Sequence, residues 1–233
     1  LTPKLERAFA GWRAPSTPLP ARPGPADAPE PGQPRVLIVD RAGPQSTILA
    51  GRAVAAFDPA TEAAIDTMNT ALGGAFTSRI NMNLREDKGW SYGAGGGVPY
   101  GRGERIYSVS AGVQSDKTAE SLVELRRELT EVVGDRPLTD EEIAAARANM
   151  VQGMAGNWET NAAIAGELQN MVVWGVPQDY YDTYATRVSS MDGARATEAA
   201  RQIVGDGPTT WVVVGDRASI EPRIRALGIG EVQ

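Results

Sequence analysis

The stretch LGGAFTSRINMNLREDKGWSYGAGGGV, residues 72–98, holds the densest pattern in the chain. Three apolar residues recur there at every fourth position, namely Phe76, Ile80 and Leu84. This spacing predicts a helix over 75–86 that ends at Gly89. The segments 90–98 and 104–113 follow as paired strands, because the second alternates apolar and polar residues with period two. The stretch therefore predicts a helix, a glycine break and a two-stranded unit.

The segments around this stretch predict the rest of the fold. Residues 36–39 form a short apolar run typical of a buried strand, 46–54 form a second strand, and 210–214 form a last one. From residue 116 onward the apolar spacing is helical, and Thr139 with Glu142 predicts a capping box. Paired strands followed by a block of helices predict an α+β fold, a single mixed, mostly antiparallel β-sheet with helices packed on one face.

The amino-terminal part of the chain differs from this body. Residues 1–13 have helical spacing, whereas 14–34 are dense in proline, which fixes φ and removes hydrogen-bond donors. We therefore predict three units: a terminal helix of a preceding module over 1–13, a proline-rich linker over 14–34 and one domain over 35–233. A short helix stranded before such a linker is expected where a chain has been cut from a longer one.

Composition excludes several classes of chemistry. The chain has 233 residues, 23 Lys and Arg, 29 Asp and Glu, and a formal charge of −6, which argues against nonspecific binding to nucleic acid. It has no window of 18 apolar residues, so no membrane span is predicted. It contains no histidine and no cysteine. A Ser-His-Asp triad, an imidazole base, a thiolate nucleophile and an H-x-x-E-H or cysteine-built zinc site are therefore excluded within this sequence.

Two motifs within residues 72–98 lack the sequence context that their function requires. Residues 89–93 match G-x-S-x-G, but the nucleophile Ser91 would follow a helix rather than a strand and has no histidine to serve as its base. The glycines of the next strand, Gly93, Gly95, Gly96 and Gly97, do not fit a phosphate-binding register. They predict a flat strand that lets another backbone approach, and a substrate strand adding to that edge is the functional version of the same geometry.

Arg85 and Tyr92 are the candidate site residues. Gly89 breaks the helix between them, so Arg85 lies at a helix end and Tyr92 at a strand start, and both could point into one cleft. A guanidinium and a phenol together suit binding of a peptide carbonyl or stabilisation of an oxyanion. The alternative is structural: Arg85 caps the helix and Tyr92 is half-buried.

The stretch also resembles a known family. The pattern LGG-x-F-x-S-R-x-x-x-x-LRE-x-x-G-x-x-Y from Leu72 to Tyr92, the turn Asp40–Gln45 and the strand end Val212–Asp216 resemble the C-terminal-half module of the pitrilysin/insulinase metallopeptidases, which include mitochondrial processing peptidase. The resemblance covers nearly all of 35–225. Residues 3–13 are similar to the terminal helix of the preceding module in that family.

The resemblance implies a division of labour. In active members a zinc-bearing N-terminal half closes on a C-terminal half that lacks metal ligands but contributes an arginine and a tyrosine seven residues apart. Arg85 and Tyr92 have that spacing and take those roles, and no metal is expected in this chain. The partners implied are a zinc-bearing half, in the same precursor or as a separate subunit, and unfolded peptides. A homodimer is considered for the isolated chain.

Two further expectations accompany the resemblance. A degenerate scaffold that serves only in assembly is the alternative function, and a bacterial periplasmic location is favoured over the cytoplasm. The tyrosines at 180, 181 and 184 stand at a predicted helix start and receive no function from the sequence. Trp158 and Trp174 are expected in helix packing or at an interface between halves rather than around a cofactor.

Overall fold

The computed structural model describes residues 2–17, 32–205 and 207–233. The strands are Arg35–Asp40 (β1), Gln45–Val54 (β2), Ser91–Gly97 (β3), Arg105–Gln114 (β4), Thr210–Gly215 (β5) and Glu231–Val232 (β6). The helices are Thr2–Phe9 (α1), Glu62–Asn69 (α2), Arg79–Asn81 (α3), Thr118–Glu131 (α4), Asp140–Gly153 (α5), Asn161–Trp174 (α6), Tyr180–Ser189 (α7), Gly193–Val204 (α8) and Arg217–Ala226 (α9). Two π-helical turns, Thr70–Gly74 and Met82–Asp87, continue α2 and α3, and 3₁₀ turns cover Ser115–Lys117 and Met154–Trp158.

All six strands form one sheet in the order β3-β4-β2-β5-β1-β6. Strand β1 runs parallel to β5 and β6, and the other three pairings are antiparallel. The predicted α+β fold with a single mixed sheet is confirmed. Strand β6 was not predicted, because two residues are too short to carry a period. Strand β3 lies at one edge of the sheet and pairs only with β4 among the described residues.

The core lies on one face of the sheet. Alternate residues of β4 from Arg105 to Val113 are buried, as the period of that segment predicts, and α4 and α8 pack over the central strands. The opposite face of the sheet carries apolar side chains that no described residue covers fully: Val39 is 50% exposed, Leu49 38% and Ile106 61%. The helices therefore cover one face, as predicted.

Some boundaries differ from the prediction. The helix expected over 75–86 begins only at Arg79, because Ala75 and Ser78 both have extended backbone angles. Helix α1 ends at Phe9 rather than at residue 13. Residues 14–17 and 32–34 contain no helix or strand, and the remainder of the predicted linker lies outside the described residues. No helix in the described part of the chain is long and apolar enough to cross a bilayer.

Candidate functional site

The turn into β3 places the candidate residues. Gly89 adopts a left-handed conformation with φ of +65°, which a residue with a side chain rarely adopts, and so ends the π-helical turn. The N–H of Trp90 donates to the carbonyl of Leu84 at 3.0 Å, and the carbonyl of Trp90 accepts from Gln114 at 2.9 Å. These bonds fix the exit of the turn against the start of β3. Arg85 and Tyr92 therefore lie at the same end of the edge strand.

Arg85 is held over an aromatic ring. Its guanidinium carbon lies 4.5 Å from the centre of the Phe76 ring, and its Nε lies 3.1 Å from a carboxylate oxygen of Glu86. The side chain is 39% exposed and caps no backbone carbonyl of its turn among the described residues. A wide π-helical turn of this kind is frequent at functional sites. The arginine is therefore oriented but still open to a ligand.

Phe76 corrects a sequence expectation. Its spacing from Ile80 and Leu84 predicts one helix face for all three residues, yet Phe76 is 61% exposed whereas the other two are buried. The reason is that the chain is extended just before α3, so Phe76 precedes the helix and is not subject to its period. The nine-residue separation from Arg85 spans an extended segment, a helix and a π-turn, so sequence spacing alone does not reveal the contact.

Tyr92 is 85% exposed, and its hydroxyl makes no hydrogen bond to the described part of the chain. The alternative interpretation, a half-buried strand tyrosine, is therefore wrong. No hydrogen bond or cation–π contact joins Tyr92 to Arg85, so any joint action of the two side chains would pass through a ligand. A solvent-exposed aromatic side chain contributes little to the stability of the fold, and its ring and hydroxyl are accessible to a ligand.

Asn81 connects the parts of the site and was missed from the sequence. Its side chain is buried, its Nδ2 donates to the carbonyl of Phe76 at 2.6 Å, and its Oδ1 accepts from the N–H of Ala94 at 3.0 Å. That N–H points away from β4, so Asn81 covers one position on the outer edge of β3. The only signal in the sequence was an amide in an otherwise apolar helix position.

The glycines of β3 serve a close approach within the chain. A Cβ added to Gly95 would lie 2.8 Å from the carbonyl oxygen of Gly73, and one added to Gly96 would lie 2.8 Å from Cγ2 of Val109. Around Gly93 the nearest atom would be 3.8 Å away. The backbone of the first π-helical turn therefore occupies the space that the missing side chain leaves at Gly95, and β4 occupies the space at Gly96. A substrate role for Gly93, Gly95, Gly96 and Gly97 stays a prediction.

Ser91 has a structural role at the irregular start of the strand. Its hydroxyl lies 2.7 Å from the carbonyl oxygens of Gly93 and Gly112 and 3.0 Å from the backbone nitrogen of Gly93. The register of β3 against β4 shifts between Ser91 and Gly93. The hydroxyl thus satisfies backbone groups that the bulge displaces, and none of these partners is a base.

The turn that carries Arg85 is anchored to the rest of the domain by charge. Arg79 donates to Glu142 through Nε at 2.6 Å and to the carbonyls of Arg136 and Pro137 at 2.6 and 2.9 Å. Glu142 also completes the predicted capping box with Thr139, which is confirmed. Burial of Glu142 favours its neutral form, but the bonds from Arg79 and from the N–H of Thr139 outweigh this effect and lower the pKa of Glu142.

Metal ligands do not occur at this site. Over residues 2–17, 32–205 and 207–233 no group of three or more histidine, cysteine, aspartate or glutamate side chains is placed to hold a metal ion. Arginine and tyrosine are donors of hydrogen bonds rather than customary zinc ligands. The arrangement can therefore donate hydrogen bonds to a carbonyl or to a developing oxyanion, but it does not fit zinc.

Known proteins resemble the chain over much of its length. A curated relative, an uncharacterized zinc protease of Streptomyces coelicolor, is 26% identical over 183 residues, which make up 77% of this chain and 39% of that protein. The chain therefore spans well under half the length of that relative.

Solved structures share the fold. A protease from Helicobacter pylori matches with a TM-score of 0.77 and 19% identity over 90% of this chain and 50% of that one. A peptidase M16 inactive domain from Pseudomonas fluorescens matches with a TM-score of 0.73 and 19% identity over 84% of this chain and 48% of that one. The periplasmic protease PqqL from Escherichia coli matches with a TM-score of 0.73 and 14% identity over 92% of this chain and 24% of that one.

A match between a family model and the sequence shows the family of this chain. The model of the family described as peptidase M16 inactive domain matches residues 1–150, which is more than half of the chain. This match includes the whole stretch from Leu72 to Tyr92 and confirms the resemblance found there. The chain belongs to the peptidase M16 inactive-domain family.

Proposed function

We propose that this chain is the substrate-binding, non-zinc half of a zinc metalloendopeptidase. An extended peptide lies against the start of β3, and Arg85 and Tyr92 donate hydrogen bonds to the carbonyl of the bond to be cleaved. The observation that carries the proposal is Tyr92, which is 85% exposed on an edge strand, at the same end as an arginine already oriented by Phe76. The metal is supplied by a zinc-bearing partner half.

Peptide pairing begins at the start of the strand. The N–H of Ala94 is already bonded to Asn81, and the backbone of Gly73 lies against Gly95 and Gly96. A peptide strand added to the edge therefore makes its first contacts beside Tyr92 and Gly93. Backbone pairing of this kind binds unfolded chains with little regard to sequence.

The two side chains act by hydrogen bonding. A guanidinium offers several N–H donors in one plane and a phenol offers one O–H, so a single carbonyl oxygen can accept from both. Such donors are most useful when they bind the oxygen more strongly as negative charge develops on it. Neither residue transfers a proton in this scheme, and the chain alone is expected to hydrolyse nothing.

The test uses the complex of this chain with its zinc-bearing half. We expect Arg85→Ala and Tyr92→Phe each to lower kcat/KM on a quenched peptide on the order of a hundredfold, by analogy with the loss of one oxyanion donor. Arg225→Ala, which removes an exposed arginine on α9, serves as the control and should retain full activity. If Arg85→Ala and Tyr92→Phe both stay within about twofold of the wild type, the assignment of the site is wrong.

A purely structural role is the second candidate function. The exposed apolar residues Leu168 and Val172 on α6, 54% and 81% exposed, favour a role in assembly. The observation that separates the two candidates is the zinc content and the H-x-x-E-H motif of the partner half. A partner without the motif, and a complex without peptidase activity, would favour the structural role.

Location and oligomeric state belong to the same proposal. We place the protein in the bacterial periplasm, in line with the periplasmic structural neighbour from Escherichia coli. Cell fractionation of the native host tests the location. Sedimentation of the isolated chain tests whether it forms the homodimer considered above or stays monomeric until its partner half is added.

A further inference from the structure

A second concave site lies beyond the far end of β3. A cavity of about 190 Å³ opens between α6, α7 and the loop after β3, and its walls include Tyr100, Trp158, Tyr180, Tyr181 and Tyr184. Five aromatic rings around one cavity are unusual in a chain with only 6% aromatic residues. Sequence analysis assigned no function to this set because its members are up to 84 positions apart.

The rings are arranged as walls rather than as a stack. Trp158 meets Tyr181 edge to face at 80°, with ring centres 5.0 Å apart, and Tyr181 meets Tyr180 at 85°. On one side of the cluster the guanidinium of Arg187 lies 4.3 Å from the centre of the Tyr180 ring and is pinned to the carbonyl of Pro59. Perpendicular rings present faces as well as edges to the enclosed space, and aromatic faces attract cations.

Two carboxylates supply negative charge to these walls. Glu167 lines the cavity and accepts a hydrogen bond from the Tyr181 hydroxyl. Asp66 lies behind the rings and accepts from the hydroxyls of Tyr184 at 3.0 Å and Tyr100 at 3.3 Å. The neighbouring Glu62 is already paired with Arg105. Among the described residues that line the cavity, Glu167 is the one with a charged side chain, so the charge at the cavity wall is negative.

The cavity is in line with the edge strand. Along α2 and its π-helical turn, Gly73 lies against Gly96, Asn69 lies near Gly97, and Asp66 bonds to Tyr100. The chain from Tyr92 to Tyr100 covers eight residue steps, which span at most about 28 Å when fully extended. One peptide of roughly that length could reach from the candidate site to the cavity.

From these observations we propose that the cavity bounded by Tyr100, Trp158, Glu167, Tyr181 and Tyr184 binds the cationic side chain of an arginine or lysine. This inference rests on the proposed function in one respect, namely that the cation belongs to a peptide held at the start of β3. The cavity volume of about 190 Å³ accommodates one such side chain. The site would add a preference for a basic residue about eight positions from the bond held by Arg85 and Tyr92.

The first experiment probes the cavity alone. Nα-acetyl-arginine amide is added to the whole chain and its binding is followed by saturation-transfer NMR, beside the citrulline and norleucine amides, which are similar in size but uncharged. We expect the arginine amide to bind on the order of tenfold more tightly than either. Trp158→Ala and Glu167→Gln should abolish this difference, whereas Glu159→Gln, which removes an exposed carboxylate outside the cavity, should preserve it. Circular dichroism and a thermal melt confirm that each variant is folded.

The second experiment links the cavity to the strand. Labelled twelve-residue peptides that carry one arginine at different positions, each with a citrulline twin, are titrated into the chain. We expect the arginine peptide to bind at least fivefold more tightly only when the arginine lies about eight residues from the end held at Tyr92. Tyr92→Ala should weaken both twins equally.

The outcomes separate the two proposals. Binding of the arginine amide without binding of the peptides would support the cation site and contradict the proposed function. Peptide binding without any preference for arginine over citrulline, together with equal binding of the three amides, would overturn the cation site and leave the proposed function standing. Preferential binding of the norleucine amide would also overturn it, since the cavity would then be an apolar pocket.

Discussion

The guanidinium of Arg85 lies over the ring of Phe76, with 4.5 Å between the guanidinium carbon and the ring centre. The contact joins the π-helical turn to the extended segment before α3, although a regular helix over 75–86 would have placed Phe76 and Arg85 on opposite faces. It restricts the positions that the Arg85 side chain can adopt at the carboxyl end of that turn.

Replacing Phe76 by alanine should lower activity without lowering stability. A cation–π contact at an exposed site contributes about 0.5–1 kcal/mol, so we expect kcat/KM of the assembled enzyme to fall about two- to fivefold. Phe76 is 61% exposed, so the melting temperature should hardly change. Phe76→Tyr keeps a ring and should behave like the wild type. Equal activity of the alanine and tyrosine variants would show that the ring does not orient Arg85.

Replacing Asn81 by alanine should loosen β3 locally. The change leaves the N–H of Ala94 and the carbonyl of Phe76 without their partner, and each lost hydrogen bond costs about 0.5–1.5 kcal/mol because both bonds are half-buried. We expect a lower free energy of unfolding in urea and faster hydrogen exchange at the Ala94 amide. Asn83→Ala removes bonds to Glu124 and Glu128 instead, so it should destabilise the fold without that local change in exchange. Unchanged exchange at Ala94 in the Asn81 variant would contradict the assigned role.

Alanine in β3 should be tolerated at some glycines and not at others. At Gly95 a methyl group would lie 2.8 Å from the Gly73 oxygen, and overpacking of this kind costs about 1–3 kcal/mol. At Gly112 in β4 no atom would lie within 4 Å of the new methyl group, so Gly112→Ala serves as the control. We expect Gly95→Ala to lower the melting temperature and Gly112→Ala to leave it nearly unchanged. Similar melting temperatures for both variants would rule out the close approach of the two backbones.

The ion pair between Arg79 and Glu142 should stabilise the fold at neutral pH and not in acid. The pKa of Glu142 in the folded chain is lowered from its ordinary value of 4.5. A lowered carboxyl pKa contributes stability that is present above the unfolded pKa and is lost as pH falls through the folded pKa. In urea, the free energy of unfolding of Glu142→Gln should therefore be lower than that of the wild type at pH 7. This difference in free energy should disappear below about pH 4.

The neighbouring glutamate provides the control for this pH effect. Glu141 is exposed in the first turn of α5, and Glu141→Gln keeps the bonds between Arg79 and Glu142. We expect its stability to track that of the wild type across the same pH range. If the difference in free energy of unfolding between the wild type and Glu142→Gln stays constant from pH 7 to pH 3, the ion pair between Arg79 and Glu142 is not its cause.

Local patterns in the sequence predicted much of the fold. The period of two in β4, the capping box at Thr139 and the break at Gly89 each depend on residues within a few positions of one another, and the structure contains all three. The prediction that Phe76 shares a helix face with Ile80 and Leu84 was wrong. The apolar spacing in the sequence extends to residue 76, whereas the backbone is extended before α3. A period alone cannot show where extended backbone interrupts it.

The candidate site was predicted only in part, for a related reason. Arg85 and Tyr92 are close in sequence and come with a motif, so they were identified as a pair. Asn81 acts through bonds to Phe76 and Ala94, and the bond between Asp66 and Tyr184 spans 118 positions. Contacts of that range depend on how the sheet and helices assemble, which no single segment encodes.

The exposure of the Tyr92 side chain to solvent determines which measurements can detect a harmful substitution at this position. Since the phenol ring is 85% exposed, its removal should leave folding yield, solubility and melting temperature intact while the proposed complex with a zinc-bearing half loses turnover. A screen for expression, solubility or thermal stability would therefore not detect Tyr92 variants that have lost activity. Only an assay of peptide cleavage would detect them.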